Sequence, residues 1–211
     1  MVMRMTLHLP TIPAEVADDL AAIGRFASAR GWVPATSGNF SRRLDDRHAA
    51  ITRSGIDKGK IAPADLIVVD LEAPLPQGVS AETPLHVARY RSDPMAGAIV
   101  HIHSVAATVL SRADAAKGAV RLDGFEMHKA LTGFTTHESV VALPVFANDQ
   151  DTQALAERVE QRLNGKTTVP AYLLSGHGLY VWGATMADAQ RHLEGIEFLL
   201  QCALEERRLQ R

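Results

Sequence analysis

Apolar residues recur at helical spacing in several segments of the chain, and each of these segments is predicted to be a helix. Residues 11–30 carry such a stripe and are followed by a glycine, which is a common stop signal. Residues 80–93 have Pro84 in the first turn, with Ser80 or Thr83 placed to cap it. The other predicted helices are residues 104–111, residues 122–132, residues 149–164 and a long final helix that begins after Thr185.

Short apolar runs lie between these helices and are predicted to be strands. They are residues 49–53, 66–71, 97–103, 139–145, 171–175 and 179–182, and one more strand is expected after a polar turn at 35–41. A short Gly-His-Gly connection joins the last two runs, which favours antiparallel pairing. The chain has no G-x-G-x-x-G fingerprint, so a doubly wound nucleotide-binding sheet is disfavoured. The pattern predicts an α/β fold with a largely antiparallel sheet and helices on both faces.

Composition and charge narrow the class of protein. The 211 residues are 46% hydrophobic and 22% charged, which suits one soluble domain spanning residues 1–211. A net charge of −2 gives no electrostatic case for a nucleic-acid or membrane partner, and no apolar stretch approaches transmembrane length. The single cysteine, Cys202, cannot form an intramolecular disulfide, and we therefore expect a reducing cytoplasmic location.

A pair of histidines stands out inside one predicted strand, residues 98–104 (A-I-V-H-I-H-S). His101 and His103 are two apart, so a strand places both imidazoles on the same face. A third histidine, His177, lies between glycines at the end of another strand. Three neutral imidazoles with an open fourth position are typical of a catalytic zinc site, although iron, nickel or cobalt would also suit them. The alternative is that these histidines are ordinary core or surface residues.

Two polar loops are candidates for binding an anion. The first contains Ser37, Gly38 and Asn39, whose hydroxyl and backbone N–H groups resemble an anion cradle. The second contains Ser54, Gly55 and Lys58 and adds positive charge, which makes it the better phosphate candidate. The alternatives are a tight turn for the first loop and a solvated lysine-bearing loop for the second.

Two carboxylates are available as acids and bases near these elements. Glu82 begins a predicted helix, where the helix dipole alone would explain it, but its side chain could also face the site. Glu126 lies in the segment predicted as helix 122–132. His86, one turn after Glu82, is better explained as a packed or exposed residue than as a ligand. A metal, an anion cradle and a carboxylate together suit proton transfer beside a carbonyl group of a phosphorylated sugar.

Several stretches, in this order along the chain, resemble the class II aldolase/adducin family. They are Ser37-Gly38-Asn39, residues 52–55, residues 65–71, residues 80–86, residues 101–104 and residues 176–178. The resemblance implies a three-layer αβα sandwich and a homotetramer with sites near subunit interfaces. It also implies one Zn²⁺ per subunit, held by His101, His103 and His177. Family phosphate loops fall on Ser37, Gly38, Asn39, Ser54, Gly55 and Ser80, and Ala81 departs from the aldolase pattern of two adjacent serines.

Further segments resemble a dehydratase branch of that family that acts in methionine salvage. They are residues 125–130, 136–138, 143–151, 176–183 and 191–200. This likeness implies the loss of water from 5-methylthioribulose 1-phosphate to give 2,3-diketo-5-methylthiopentyl 1-phosphate. It places the acid/base residue at Glu126, whereas the aldolase branch has its key carboxylate at Glu82. Both are present, so the division of labour between them stays open.

Two other functions remain possible on the same resemblance. One is a class II aldolase that cleaves a sugar 1-phosphate of the fuculose or rhamnulose type, and Glu82 supports it. The other is a non-catalytic, adducin-like interaction domain, which would have no need to keep all three metal histidines.

Overall fold

The strands and helices of the computed structural model lie within residues 9–163 and 169–210, the part of the chain that the structure describes. The strands are β1 (Asn39–Arg43), β2 (His48–Thr52), β3 (Leu66–Asp70), β4 (Ala98–Ile102), β5 (Ala119–Arg121), β6 (Ala142–Phe146), β7 (Ala171–Leu174) and β8 (Gly178–Gly183). The α-helices are α1 (Ala14–Ala29), α2 (Thr83–Ser92), α3 (Val105–Ala113), α4 (Thr152–Leu163) and α5 (Met186–Leu209).

The eight strands form one sheet in the order β3-β2-β1-β4-β8-β7-β6-β5. Every neighbouring pair is antiparallel except β6 and β7, which run parallel. The predicted antiparallel return from β7 into β8 is confirmed. The central pair, β4 and β8, brings the histidine strand beside the strand that follows His177, with His101 opposite Tyr180.

Helices cover both faces of the sheet, so the predicted three-layer αβα sandwich is confirmed. Helices α1, α3 and α5 pack on one face, and α2 and α4 pack on the other. Strand β4 shows the alternation that separates the two cores. Val100 and Ile102 belong to the first core, whereas Ile99 belongs to the second. His101 therefore points toward the layer of α2 and α4.

Most of the predicted helices and strands are present, although their first and last residues differ from the prediction. At two places the structure departs further from the prediction. The prediction of a helix over residues 122–132 is wrong, because only a short 3₁₀ helix, Glu126–Ala130, forms there. Gly124 adopts φ +83°, a left-handed conformation that a regular α-helix does not contain. Strand β5 was not predicted, since three residues are too few to show a period. Residue 164, the predicted end of the helix over residues 149–164, lies outside the described residues.

Among residues 9–163 and 169–210, no helix combines the length and the apolar character that crossing a membrane requires.

Candidate metal centre and active site

Four side chains from separate parts of the sequence converge at one end of the central strands. They are Glu82, His101, His103 and His177, and one ligand atom from each lies within 4.8 Å of the others. His101 is in β4 and His103 follows it directly. His177 lies in the turn between β7 and β8, and Glu82 is the residue before α2. The three predicted histidines are therefore together, and Glu82 joins them.

The histidine pair has the arrangement that strand periodicity predicts. The Nε2 atoms of His101 and His103 are 2.9 Å apart. The Nδ1 atom of His101 is 3.0 Å from the carbonyl oxygen of Leu179. A carbonyl can only accept a hydrogen bond, so Nδ1 donates and the Nε2 lone pair faces the cluster. The buried ring of His101 also stacks on Tyr180, with centroids 4.0 Å apart, which holds its plane.

His177 enters the cluster from the short turn that follows β7. Its Nε2 is 3.1 Å from Nε2 of His103, and its Nδ1 is 3.1 Å from Oδ1 of Asn148. Such a second hydrogen bond orients the ring of a histidine that binds metal through its other nitrogen. Asn148 was given no role by the sequence. The polar run N-D-Q-D directly after β6 was the signal that could have identified it.

The carboxylate of Glu82 closes the cluster on its fourth side. Oε1 lies 2.8 Å from Nε2 of His177, and Oε2 lies 3.5 Å from Nε2 of His101. Asn39 donates to Oε2 through its side-chain amide, at 2.6 Å. Although partial burial acts to raise the pKa of Glu82, the hydrogen bonding with His177 and the neighbouring imidazoles hold it well below its ordinary value. Glu82 was expected either to serve only the helix dipole or to face the site. Its carboxylate faces the site.

The donor set fits a divalent metal ion. Burial lowers the pKa of His103 to about 4 and that of His101 well below its ordinary value, so both rings are neutral with a lone pair available. Two ligands of one tetrahedral zinc, each about 2.0–2.1 Å from the ion, are roughly 3.3 Å apart. The contacts between these donor atoms span 2.8 to 3.5 Å. Donor atoms spaced in this way match the ligand set of one bound divalent cation.

Glycines next to the histidines allow the backbone to pack this tightly. A Cβ atom on Gly178 would lie 2.1 Å from the carbonyl oxygen of Ile102 and 3.1 Å from Cε1 of His101. A Cβ on Gly38 would lie 2.6 Å from the carbonyl oxygen of His101, and Gly38 also has φ +76°. Any larger residue would push strands away from the histidines. Close packing against β4 is thus enough to explain why position 38 is a glycine, whether or not this loop also forms the predicted anion cradle.

An open cavity of about 220 Å³ leads to the cluster. Its wall includes Glu82 and His177 from the cluster and two predicted phosphate residues, Ser54 and Ser80. The loop after β6 forms another part of the wall, including Asn148. A small polar substrate could therefore contact the cluster and both hydroxyl groups at once.

The remaining predicted phosphate residues do not line this cavity. Lys58 is buried, and its ammonium group donates to the carbonyl oxygens of Thr36 and Ile56 at 3.0 Å each. The Asn39 side chain is likewise buried and bonded within the protein. Gly55 lies in open space at φ +73°, as a turn glycine does. The Oγ atom of Ser37 is buried and has no hydrogen-bond partner within the described part of the chain.

Glu126 lies apart from the cluster formed by its own chain. Its side chain is 68% exposed and forms ion pairs with Lys129 and, at 3.6 Å, with His137. The hydrogen bond to Lys129 lowers the pKa of this carboxyl. His128, two residues later, is buried.

The fold is that of the class II aldolases, and the sequence comparison agrees. Residues 18–204 match the family described as Class II Aldolase and Adducin N-terminal domain. The chain belongs to this family.

Two relatives and one solved structure match this chain over nearly its whole described length and over nearly their own. A methylthioribulose-1-phosphate dehydratase of Parvibaculum lavamentivorans is 51% identical over 92% of this chain and 95% of its own. A protein of the same name from Sorangium cellulosum is 50% identical over 92% and 93%. Among solved structures, the l-fuculose-1-phosphate aldolase of Thermus thermophilus has a TM-score of 0.77 and 30% identity, and the match covers 93% of this chain and 97% of that one.

Proposed function

We propose that the protein is a metal-dependent hydro-lyase that converts 5-methylthioribulose 1-phosphate to 2,3-diketo-5-methylthiopentyl 1-phosphate, a step of methionine salvage. One observation carries the proposal. The imidazoles of His101, His103 and His177 and the carboxylate of Glu82 converge at the end of a cavity wide enough for a small sugar phosphate. The relatives that share about half of its residues over nearly their whole length are named as dehydratases for this substrate.

We infer that His101, His103 and His177 hold one Zn²⁺ per subunit. When bound, the ion would act as a Lewis acid toward the carbonyl and hydroxyl oxygens of the sugar. The protein's own part is to orient the three rings. The carbonyl oxygen of Leu179 and Oδ1 of Asn148 do this for two of them.

The proton transfers are assigned to the two carboxylates. The reaction removes the hydrogen on C3 as a proton, and the C4 hydroxyl leaves as water once it has been protonated. The resulting enol then becomes the second ketone by moving a proton to C4. Glu126 is the proposed general acid for the departing hydroxyl. Glu82 is ionised beside the cluster and is a candidate for the base that takes the C3 proton.

We propose that the phosphate group of the sugar binds at the cavity wall through the hydroxyl groups of Ser54 and Ser80, with Gly55 forming the turn next to Ser54. The two hydroxyl groups line the cavity itself. Lys58 would then act from behind the wall as a buried positive charge, since its N–H groups are committed to backbone carbonyls. Gly38 packs closely against the backbone of His101 in β4.

We further propose a homotetramer in which Glu126 completes the site of a neighbouring subunit. An exposed carboxylate outside its own chain's cluster could reach such a site only if two subunits meet there. Mixing two inactive variants, His103→Asn and Glu126→Gln, would test this. Mixed oligomers should regain a fraction of wild-type activity, because some sites then combine intact histidines with an intact Glu126. No recovery in oligomers shown to be mixed would place Glu126 outside the neighbouring site.

Product analysis tests the proposed reaction directly. Zinc-loaded protein should release the diketone from 5-methylthioribulose 1-phosphate, detected by mass spectrometry and by its ultraviolet absorbance as the enol. Metal-free protein and the His103→Asn variant are the controls. No product from fully loaded protein would refute the proposal.

A second candidate is an aldolase that cleaves a fuculose- or rhamnulose-type sugar 1-phosphate. It is favoured by Glu82 lying in the cluster and by the structural similarity to the Thermus thermophilus aldolase. Dihydroxyacetone phosphate released from these sugars would support it. A protein purified without chelator that holds no metal would instead support a non-catalytic role.

A further inference from the structure

A buried chain of hydrogen bonds runs from the Glu82 carboxylate into the layer of α2. Asn39 Nδ2 is 2.6 Å from Oε2 of Glu82, and Asn39 Oδ1 is 2.5 Å from Nε2 of His86. His86 Nδ1 is 2.7 Å from Oγ of Ser41, which is 2.8 Å from the hydroxyl of Tyr90. The four residues behind Glu82 are each at most 2% exposed. None of these hydrogen bonds is made to His101, His103 or His177.

The chemistry of the groups fixes the direction of each bond. An ionised carboxylate only accepts, so Asn39 must turn its NH₂ group toward Glu82. Its carbonyl oxygen then faces His86, whose Nε2 must carry the hydrogen. The Nδ1 atom of a neutral ring is left as an acceptor, so Ser41 donates to it and Tyr90 donates to Ser41. With a neutral His86, only one donor-to-acceptor direction satisfies all of these hydrogen bonds.

We propose that His86 is a positioning residue for Glu82, acting as the neutral Nε2–H tautomer that locks the Asn39 amide in its donating orientation. This inference rests on the role of Glu82 in the proposed function. The other tautomer would reverse the amide and place two oxygens, Asn39 Oδ1 and Glu82 Oε2, 2.6 Å apart without a proton between them. The second N–H of Asn39 reaches Oγ of Ser80 at 3.3 Å, so the same amide links Glu82 to the cavity wall.

The surroundings of His86 favour a neutral ring. The side chain is buried, and this burial lowers its pKa to about 4. The charged group that acts on it is Glu82, which lies beyond Asn39. Tyr180 meets the ring edge-on, with centroids 5.8 Å apart, and Ser41 supplies a hydroxyl. An uncharged ring with one donor and one acceptor satisfies both of its hydrogen bonds.

Nuclear magnetic resonance of the zinc-loaded protein labelled with ¹⁵N-histidine tests the tautomer. The His86 signals, assigned by their absence in His86→Gln, should show a protonated Nε2 and an unprotonated Nδ1 at pH 7. A protonated Nδ1, with or without a protonated Nε2, would overturn the proposal. The spectrum requires no turnover, so failure of the dehydratase assay and failure of this inference are separate results.

Kinetics test the consequence for Glu82. In His86→Gln, kcat per zinc-loaded chain should fall about 10- to 100-fold, as when the hydrogen-bond partners of metal-binding side chains are lost. KM should change less than about threefold. Arg91→Gln, an exposed change on the same helix, is the matched control and should keep the wild-type kcat. If His86→Gln does not fold, Ser41→Ala takes its place, and its His86 signals should then report a mixture of tautomers. A wild-type kcat in the folded, zinc-loaded variant would overturn the proposal.

Discussion

The histidine cluster and the Glu126 segment are the two regions offered for catalysis, and they are built in opposite ways. The cluster sits on the central strands, where His101 is fully buried and paired with the backbone of β8. Glu126 lies in a short 3₁₀ helix between glycines of positive φ, Gly124 and Gly133, and its carboxylate is mostly exposed.

This difference matches the different demands that metal binding and proton transfer place on a side chain. Metal ligands must hold a fixed geometry, and strands locked by hydrogen bonds and close glycine contacts supply it. A proton donor need only arrive at the right point, and an exposed segment can do so when another subunit meets it. The metal site should therefore survive changes in the Glu126 segment, whereas catalysis should depend on both regions.

The largest effect is expected from removing a ligand. In His103→Asn, the zinc content should fall from about one per chain to a small fraction, and activity should fall about 10³-fold or more, because a Lewis acid supplies several kcal/mol. Metal analysis by mass spectrometry measures the first effect. His48→Asn is the control, since His48 lies on β2 and contacts Asp45 instead of the cluster. Normal zinc in His103→Asn would mean that the cluster does not hold the metal.

Glu126→Gln should distinguish the contribution of the Glu126 segment to catalysis from that of the histidine cluster to metal binding. Turnover should fall about 10²- to 10⁴-fold, the usual contribution of a general acid or base, while zinc content and melting temperature stay near those of the wild type. Glu138→Gln, an exposed change in the neighbouring loop, should be nearly neutral. If Glu126→Gln retains activity, the proton transfers belong to Glu82 or to water.

Because His86 is buried behind the cluster, we expect the free energy of unfolding to decrease at acid pH. The pKa of His86 is about 4 in the folded chain, below the ordinary 6.5, so the unfolded chain takes up this proton first as pH falls. Folding stability should therefore decrease from about pH 6.5 toward pH 4, by about 2–3 kcal/mol for this group. Urea unfolding of metal-free protein at pH 7 and pH 4.5 measures it. His86→Gln should show a smaller loss, and an equal loss would contradict the assignment.

The smallest effect is expected at the cavity wall. Ser54→Ala removes one hydroxyl proposed to bind phosphate, so KM should rise about three- to tenfold with kcat little changed. Ser92→Ala, an exposed serine at the other end of α2, is the control. An unchanged KM would remove Ser54 from the phosphate site.

Local pattern predicted the fold and the grouping of the three histidines better than it predicted the loops. The period of a strand is enough to place His101 and His103 on one face, and their Nε2 atoms do meet. Lys58 shows the limit, because the sequence has a cation in a polar loop and the fold buries it. Its ammonium binds the carbonyl oxygen of Thr36, where the backbone takes φ +64°, and no sequence pattern marks that contact.

The spacing of apolar residues, the class of fold, the family and the three histidines could all be predicted from the sequence. The folded chain was needed to show that Glu82 joins them, that Asn39 donates to this carboxylate, and that Glu126 lies outside its own chain's cluster. Backbone geometry within one element sets which neighbouring residues share a face. Which distant residues share a point depends instead on the pairing of β1, β4 and β8 and on how α2 packs against them.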